Sequence, residues 1–283
     1  MTAAPTPSPT SDDARPVGRT GPVAAPANRG AALTDDGLAA KVAAARAILF
    51  DLDGVLLSTV ELHRQAWGDI FTAWFQARGL EPPDMAADYH NHLDGRPRYD
   101  GVRAVLKAHG LDLPWGGPAD EPGSDSVCGL GNAKNQLFLS LLAAGGAVPF
   151  PETVGLLLRL LRRGQSLAVV SSSDNARLVL DRAGIADAFT VVVDGRTAQR
   201  HGLRGKPAPD GFRHAADRLG VTMARTVVVE DAVAGVAAGR ASGSGLVVGV
   251  DRGAGRERLL AAGADVVVTS LEALAPRASA ADR

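Results

Sequence analysis

Six short runs rich in valine and leucine, at 47–51, 167–170, 190–193, 226–229, 246–250 and 265–268, are the constraint that shapes everything else in this chain. After the first run they alternate with helical patterns at 152–163, 174–183, 208–219, 232–241 and 255–262. Strands of this composition have no polar face, so they belong in a parallel sheet covered by helices on both sides. Gly164, Gly184, Gly220 and Gly243 stand where helix C-terminal glycines belong. The fold expected is α/β, a doubly wound parallel sheet. Such sheets bind ligands beyond the carboxyl ends of their strands. Here those ends carry Asp51 and Asp53, Ser171 and Ser173, and Glu230 and Asp231.

The first strand ends in Asp51-Leu52-Asp53-Gly54. Side chains two apart share a face, so both carboxylates can project into one pocket. One could hold a divalent cation and attack an electrophile while the other handles a proton. By itself the pair is equally a strand stopping at an Asp-Gly turn. Co-location with the other strand-end residues argues against the turn alone.

The segment 61–148 reads differently. It has helical stretches near 60–78, 98–109 and 132–144, with polar or Pro/Gly-rich joints at 81–97 and 112–131, and no clear β-branched run. It is expected to be an inserted, mostly helical cap domain able to close over the strand ends. The catalytic core then comprises 44–60 plus 149–275. Residues 1–43, rich in Ala, Pro, Thr, Ser and Gly, are expected to form a disordered tail, and 276–283 a C-terminal tail. With 46% hydrophobic residues the chain can bury a sizeable core. Its net charge of −1 gives no argument for binding nucleic acid or a membrane surface. No apolar run reaches a membrane span. The single cysteine, Cys128, has no metal-site spacing and suits a reducing cytoplasm. A cytoplasmic monomer is the expectation.

Four segments in order resemble the motifs of the haloacid-dehalogenase-like phosphotransferase superfamily. They are Phe50-Asp51-Leu52-Asp53-Gly54-Val55, Ser171 in Val-Val-Ser-Ser-Ser, Lys206 in Gly-Lys-Pro-Ala-Pro-Asp, and Glu230-Asp231 before Ala-Val-Ala-Gly-Val-Ala-Ala-Gly. Thr59 and His63 after Asp51, the segments Leu93–Arg98 and Gly131–Asn135, and Ser171-Ser172-Ser173-Asp174-Asn175 resemble its β-phosphoglucomutase subgroup. The resemblance implies a Rossmann-like core with a helical cap, and Mg²⁺ as cofactor. It implies Asp51 as nucleophile, Asp53 as general acid and base, and Ser171 and Lys206 as stabilisers of the transferring phosphoryl group. Mg²⁺ would be held by Asp51, the Asp53 carbonyl and Asp231, with Glu230 alongside. Thr59 and His63 would respond to cap closure at the hinge. Gly95, Arg96, Arg98, Lys134, Ser173, Asn175 and Trp67 would contact a small sugar phosphate, with Arg98 gripping the second phosphate.

Plainer readings stand beside these. Ser171 can cap the following helix, Lys206 can be a solvated loop lysine, and Glu230-Asp231 can be capping carboxylates. His63 and Trp67 can be structural. Two positions depart from the subgroup. Asp94 and Asp174 stand where its members can carry lysine, and an anion near a phosphate is unfavourable unless its side chain points away. Asp174 can instead favour its helix's N-terminus. The leading expectation is interconversion of β-glucose 1-phosphate and glucose 6-phosphate through a bound 1,6-bisphosphate. A sugar-phosphate phosphatase is the alternative, and a non-catalytic sugar-phosphate sensor a remote one.

Overall fold

Six parallel strands, in the order β3-β2-β1-β4-β5-β6, make up the sheet among the described residues. They are β1 (Ala47–Phe50), β2 (Ser166–Val170), β3 (Val191–Val193), β4 (Thr226–Glu230), β5 (Leu246–Val250) and β6 (Val266–Val268). The computed structural model describes residues 34–275. Strand order reverses between β1 and β4, which places the topological switch point at the centre of the sheet. Phe50 pairs with Val169 on one side and Val229 on the other, so Asp51 leaves β1 level with Val170 and Glu230.

Period-two alternation sends each strand's side chains into two separate apolar layers. Ile48, Phe50, Leu167, Val169, Val227 and Val229 face one way, against α6 (Thr153–Arg162) and α7 (Ala176–Arg182). Ala47, Leu49, Ala168, Val170 and Val228 face the other, against α9 (Asp210–Leu219) and α10 (Val233–Ser242). The doubly wound α/β expectation is met. Two further helices, α8 (Gly195–His201) and α11 (Arg256–Ala262), complete the wrapping. α8 carries no signal in the sequence beyond the strand end at Asp194-Gly195; Asp194 Oδ1 accepts from Thr197 N at 2.7 Å and starts the helix.

The expected disordered tail at 1–43 is corrected for its last ten residues; residues 1–33 and the C-terminal tail 276–283 lie outside the described residues. α1 (Asp35–Ala44) is a helix, capped by Thr34 Oγ1 accepting from Gly37 N at 3.2 Å. Leu38 and Val42 are buried in the first layer, and Gln165 Nε2 donates to Val42 O and Ala45 O at 2.7 and 2.9 Å. Two apolar residues one helical turn apart suffice to dock this Ala-rich turn.

Between β1 and α6 the chain forms α2 (Val60–Gln76), α3 (Met85–Asp88), a π-helical turn (Tyr89–Leu93), α4 (Arg98–Ala108) and α5 (Val127–Gly145). Trp67, Phe71, Trp74, Phe75, Val102, Val105 and Leu130 build an apolar cluster of their own in this insertion. Its ends do not stay separate: Ala66 of α2 and Phe138 and Leu142 of α5 are buried in the sheet's first layer. The joint read at 81–97 contains α3 and the π-helical turn, because Tyr89 and Leu93 are buried in the insertion's cluster. α5 begins at Val127, ahead of the 132 expected, because Ser126 Oγ accepts from Gly129 N at 2.9 Å. No described helix is long and apolar enough to cross a membrane.

Candidate active site

Asp51 is the first residue beyond β1 and is buried. Lys206, from the loop before α9, donates to Asp51 Oδ1, to Val170 O at 2.9 Å and to Glu230 Oε1 at 2.6 Å. A buried lysine with three acceptors is not a solvated loop residue. Glu230 ends β4 and is fully buried, with Ala232 N donating to its Oε2 at 3.0 Å. Burial works against the Lys206 ammonium, but the Asp51 and Glu230 carboxylates outweigh it and hold its proton above the ordinary lysine range.

Asp51, Glu230 and Asp231 bring carboxylate oxygens within 4.8 Å of one another. Burial, opposed by Lys206 and reinforced by Glu230 and Asp53, pushes Asp51 up to about 8. Asp231 is pushed well above the carboxylate range by burial, then by Asp94, Glu230 and Asp51. Three buried carboxylates thus share a single ammonium. The donor set is all oxygen and its three carboxylates outnumber the one ammonium beside them, which fits a hard divalent cation such as Mg²⁺.

Asp53 has a different environment. Thr59 Oγ1 donates to its Oδ1, and His63 Nε2 stands 3.5 Å from the same oxygen. Burial alone would raise Asp53, but His63, Thr59 and Lys134 together hold it below the ordinary range. Behind His63, Lys134 Nζ lies 2.6 Å from Nδ1, and Phe138 stacks on the imidazole at 4.1 Å between centroids. Burial, then Lys134, lowers the His63 imidazole. With Lys134 donating to Nδ1, the proton of neutral His63 sits on Nε2 and faces Asp53.

These groups surround a chamber of about 80 Å³ between the strand ends and the insertion. Asp51, Asp53 and Asp231 line it from the sheet, with Ser171, Ser173 and Asn175 from the turn after β2. His63, Trp67, Gly95, Arg96, Arg98 and Lys134 line it from the insertion. Of the candidates named from sequence, Thr59, Lys206 and Glu230 stand behind the lining as supports. Trp67 both lines the chamber and is buried in the insertion's apolar cluster, stacked on Phe71 at 5.5 Å. Ser171 Oγ accepts from Ser173 N at 3.1 Å, so its local turn bond coexists with a place in the lining.

Several contacts join the insertion to the sheet at the chamber. Ser172 Oγ donates to Gly95 O at 2.8 Å and Asn175 Nδ2 to Asn135 Oδ1 at 2.8 Å. Arg98 donates to Asp174 Oδ2 in an ion pair. Asp174 is therefore turned toward the insertion and does not cap α7, whose first turn receives no side-chain cap bond from Asn175 either. Ser172, Asn135, Tyr89 and Asp94 also line the chamber and were absent from the candidate set. For Tyr89 the sequence offered no signal, since a π-helical turn has no readable period. For Asp94 the signal was its departure from the expected lysine.

Carboxylates at a central switch point, a buried lysine across them and a helical insertion above define a class: an α/β enzyme built around a paired-aspartate site. The chain belongs to the haloacid dehalogenase-like hydrolase family, whose profile matches residues 45–243. A Mycobacterium bovis protein named beta-phosphoglucomutase is 44% identical over 238 residues, covering 81% of this chain and 91% of that one. A Bacillus subtilis protein of the same name is 32% identical over 224 residues, covering 79% and 88%. The crystal structure of a Clostridium difficile beta-phosphoglucomutase shares the fold, with a TM-score of 0.63 at 23% identity over 80% of this chain and 91% of that one.

Proposed function

We propose that this protein is a Mg²⁺-dependent β-phosphoglucomutase, interconverting β-glucose 1-phosphate and glucose 6-phosphate through a bound 1,6-bisphosphate. The observation that carries the reading is the division of labour between two neighbouring carboxylates. Asp51 faces a lysine and a carboxylate cluster; Asp53 faces a hydroxyl and an imidazole. Pairs of acids in contrasting environments are suited to different roles in one reaction.

Asp51 attacks phosphorus, forming an aspartyl-phosphate as the bond from phosphorus to the sugar oxygen breaks. Asp53, held ionised, takes the proton from the sugar hydroxyl that attacks the aspartyl-phosphate, and returns that proton to the departing sugar oxygen when Asp51 attacks the bisphosphate's other phosphorus. Thr59 and His63 hold the Asp53 carboxyl in place. Lys206 and Ser171 meet the phosphoryl oxygens with fixed positive charge and a hydroxyl. Asp51, Asp231, Glu230 and the Asp53 carbonyl would hold Mg²⁺, which when bound neutralises nucleophile and phosphoryl charge. Arg98, Arg96, Lys134, Ser173 and Asn175 would engage the sugar and its other phosphate. Residues 61–148 act as the cap, closing to exclude water from the aspartyl-phosphate. The mycobacterial relative's name supports this choice of substrate.

A second reading rests on Asp94 and Asp174. Two carboxylates at the sugar side disfavour a second phosphate and would suit a phosphatase acting on a sugar monophosphate. The deciding experiment supplies β-glucose 1-phosphate, Mg²⁺ and a trace of the bisphosphate, with Asp51→Asn as control. Glucose 6-phosphate as product carries the mutase; free inorganic phosphate alone overturns it in favour of the phosphatase.

A further inference from the structure

The 80 Å³ chamber is far below the ~300–1,000 Å³ of a typical small-molecule pocket. A ligand larger than the chamber fits between insertion and sheet only if the contacts that join them there part. Two of them, Ser172 to Gly95 and Asn175 to Asn135, are hydrogen bonds between neutral groups. The Arg98–Asp174 contact is an ion pair, with side chains 15% and 36% exposed.

Both partners are seated. Arg98 Nη1 donates to Asn132 Oδ1 at 3.4 Å, and Tyr99 Oη donates to the same oxygen at 2.9 Å. Asp174 Oδ1 rests against Gly195, where a Cβ would stand 2.2 Å from it, so any other residue at 195 would displace the carboxylate. The pair stands at the boundary between the chamber and a cavity of about 1,130 Å³, whose lining includes both residues together with Arg96, Arg103, Lys107 and Arg196. The Arg98 guanidinium is thus paired with a carboxylate at the edge of the chamber, and the approach to it carries further cations.

We propose that Asp174 is a specificity-determining latch: it ties the insertion to the sheet by occupying Arg98, and an incoming phosphate must displace it from the guanidinium. A phosphate can present two oxygens to the guanidinium fork, where Asp174 receives one bond from Nη2, and it carries more charge than a carboxylate. A ligand lacking an anion at that end leaves the latch in place. The proposal rests on reading Arg98 as a phosphate-binding cation, whichever product forms.

The test uses the full chain and two readouts that need no turnover. Hydrogen exchange of the ligand-free protein is followed at 93–98 and 172–176, and inorganic phosphate is the binding probe. Asp174→Asn is expected to speed exchange in both segments and to tighten phosphate binding by about threefold or more. Asp174→Ala should do the same. The gain in affinity must vanish when Arg98→Ala is already present, as a double-mutant cycle requires for a direct pair. Unchanged exchange, unchanged or weaker phosphate binding, or a gain that survives Arg98→Ala overturns the latch. If these shifts appear while no glucose 6-phosphate is made, the latch stands and the mutase reading falls.

Discussion

Glu230 Oε1 accepts from Lys206 Nζ at 2.6 Å at a site where Glu230 is fully buried, so the carboxylate that ends β4 fixes the lysine that faces Asp51. The room for Glu230 comes from a glycine. A Cβ at Gly235 would stand 1.7 Å from Glu230 Oε1 and 2.4 Å from Oε2. Gly235→Ala is therefore expected to expel the Glu230 carboxyl, misplace Lys206 and lower stability by about 2 kcal/mol or more. Urea denaturation alongside the product assay checks it. Unaltered stability and turnover would show that Glu230 does not hold Lys206.

Asp231 lies in a cluster whose negative charge is met by a single lysine. Adding Mg²⁺ should raise the Tm of the wild-type protein, since a ligand bound only by the folded state stabilises it. Asp231→Asn should lose most of that shift. The sign in metal-free buffer is opposite. An acid whose folded pKa is raised costs nothing below its unfolded value and costs progressively more as pH rises toward the folded one. Removing the charge should then make metal-free Asp231→Asn at least as stable as wild type at pH 8, with the difference shrinking near pH 4. Scanning calorimetry with and without Mg²⁺ reads both effects.

The sheet and its strand ends were legible because both are local. Each strand is a short apolar run, and the strand-end site residues follow their runs directly, as Asp51, Ser171 and Glu230 do. The contacts that set side-chain roles were not, because they join residues far apart in the chain. Lys134 reaches His63 across 71 positions, and Arg98 reaches Asp174 across 76. No spacing rule connects such pairs; they depend on where α5 crosses α2 and on how the insertion settles over β2. For that reason the sequence leaves Asp174 either an acid in a lysine's place near a phosphate or a residue favouring its helix's N-terminus, and does not show its pairing with Arg98. The expectation of disorder fails over 34–43 because Leu38 and Val42, the only bulky apolar residues within α1, stand one turn apart and are averaged away in the composition of a long Ala-rich tail.

The lysine behind His63 predicts a pH dependence of stability. Burial, then Arg98, opposed by Asp53, lowers Lys134 to about 7. Below that value the folded and unfolded states both carry the proton, and the folded state bears the full cost of a buried charge. Between about 7 and the ordinary lysine value of about 10.4 the unfolded state binds more protons, so the cost is relieved as pH rises. Lys134→Met should therefore stabilise the protein relative to wild type by on the order of a few kcal/mol at pH 6, less whatever the lost His63 contact contributes, and the gain should diminish toward pH 10. Denaturation midpoints of the two proteins across that range check the trend. A difference independent of pH would mean that Lys134 is not a buried charge.

The docking of α1 predicts a stability cost where the sequence alone suggested none. Leu38 is 1% exposed and packs with Ile48, Phe50 and the other residues of the sheet's first layer. Truncating a buried leucine removes its transfer free energy and leaves a cavity, together about 2–5 kcal/mol. Leu38→Ala is expected to fall in that range. A residue in a disordered segment would give no change beyond experimental error. Gln165 offers an independent check, because its amide donates to the carbonyls of Val42 and Ala45 at the end of the same helix. Gln165→Leu should leave those carbonyls without that donor and cost about 1–3 kcal/mol. If α1 is part of the folded unit, urea titrations will show both losses in one cooperative transition, with the core. Fraying of α1 ahead of the main transition, with Leu38→Ala leaving the midpoint unmoved, would detach the helix from the core.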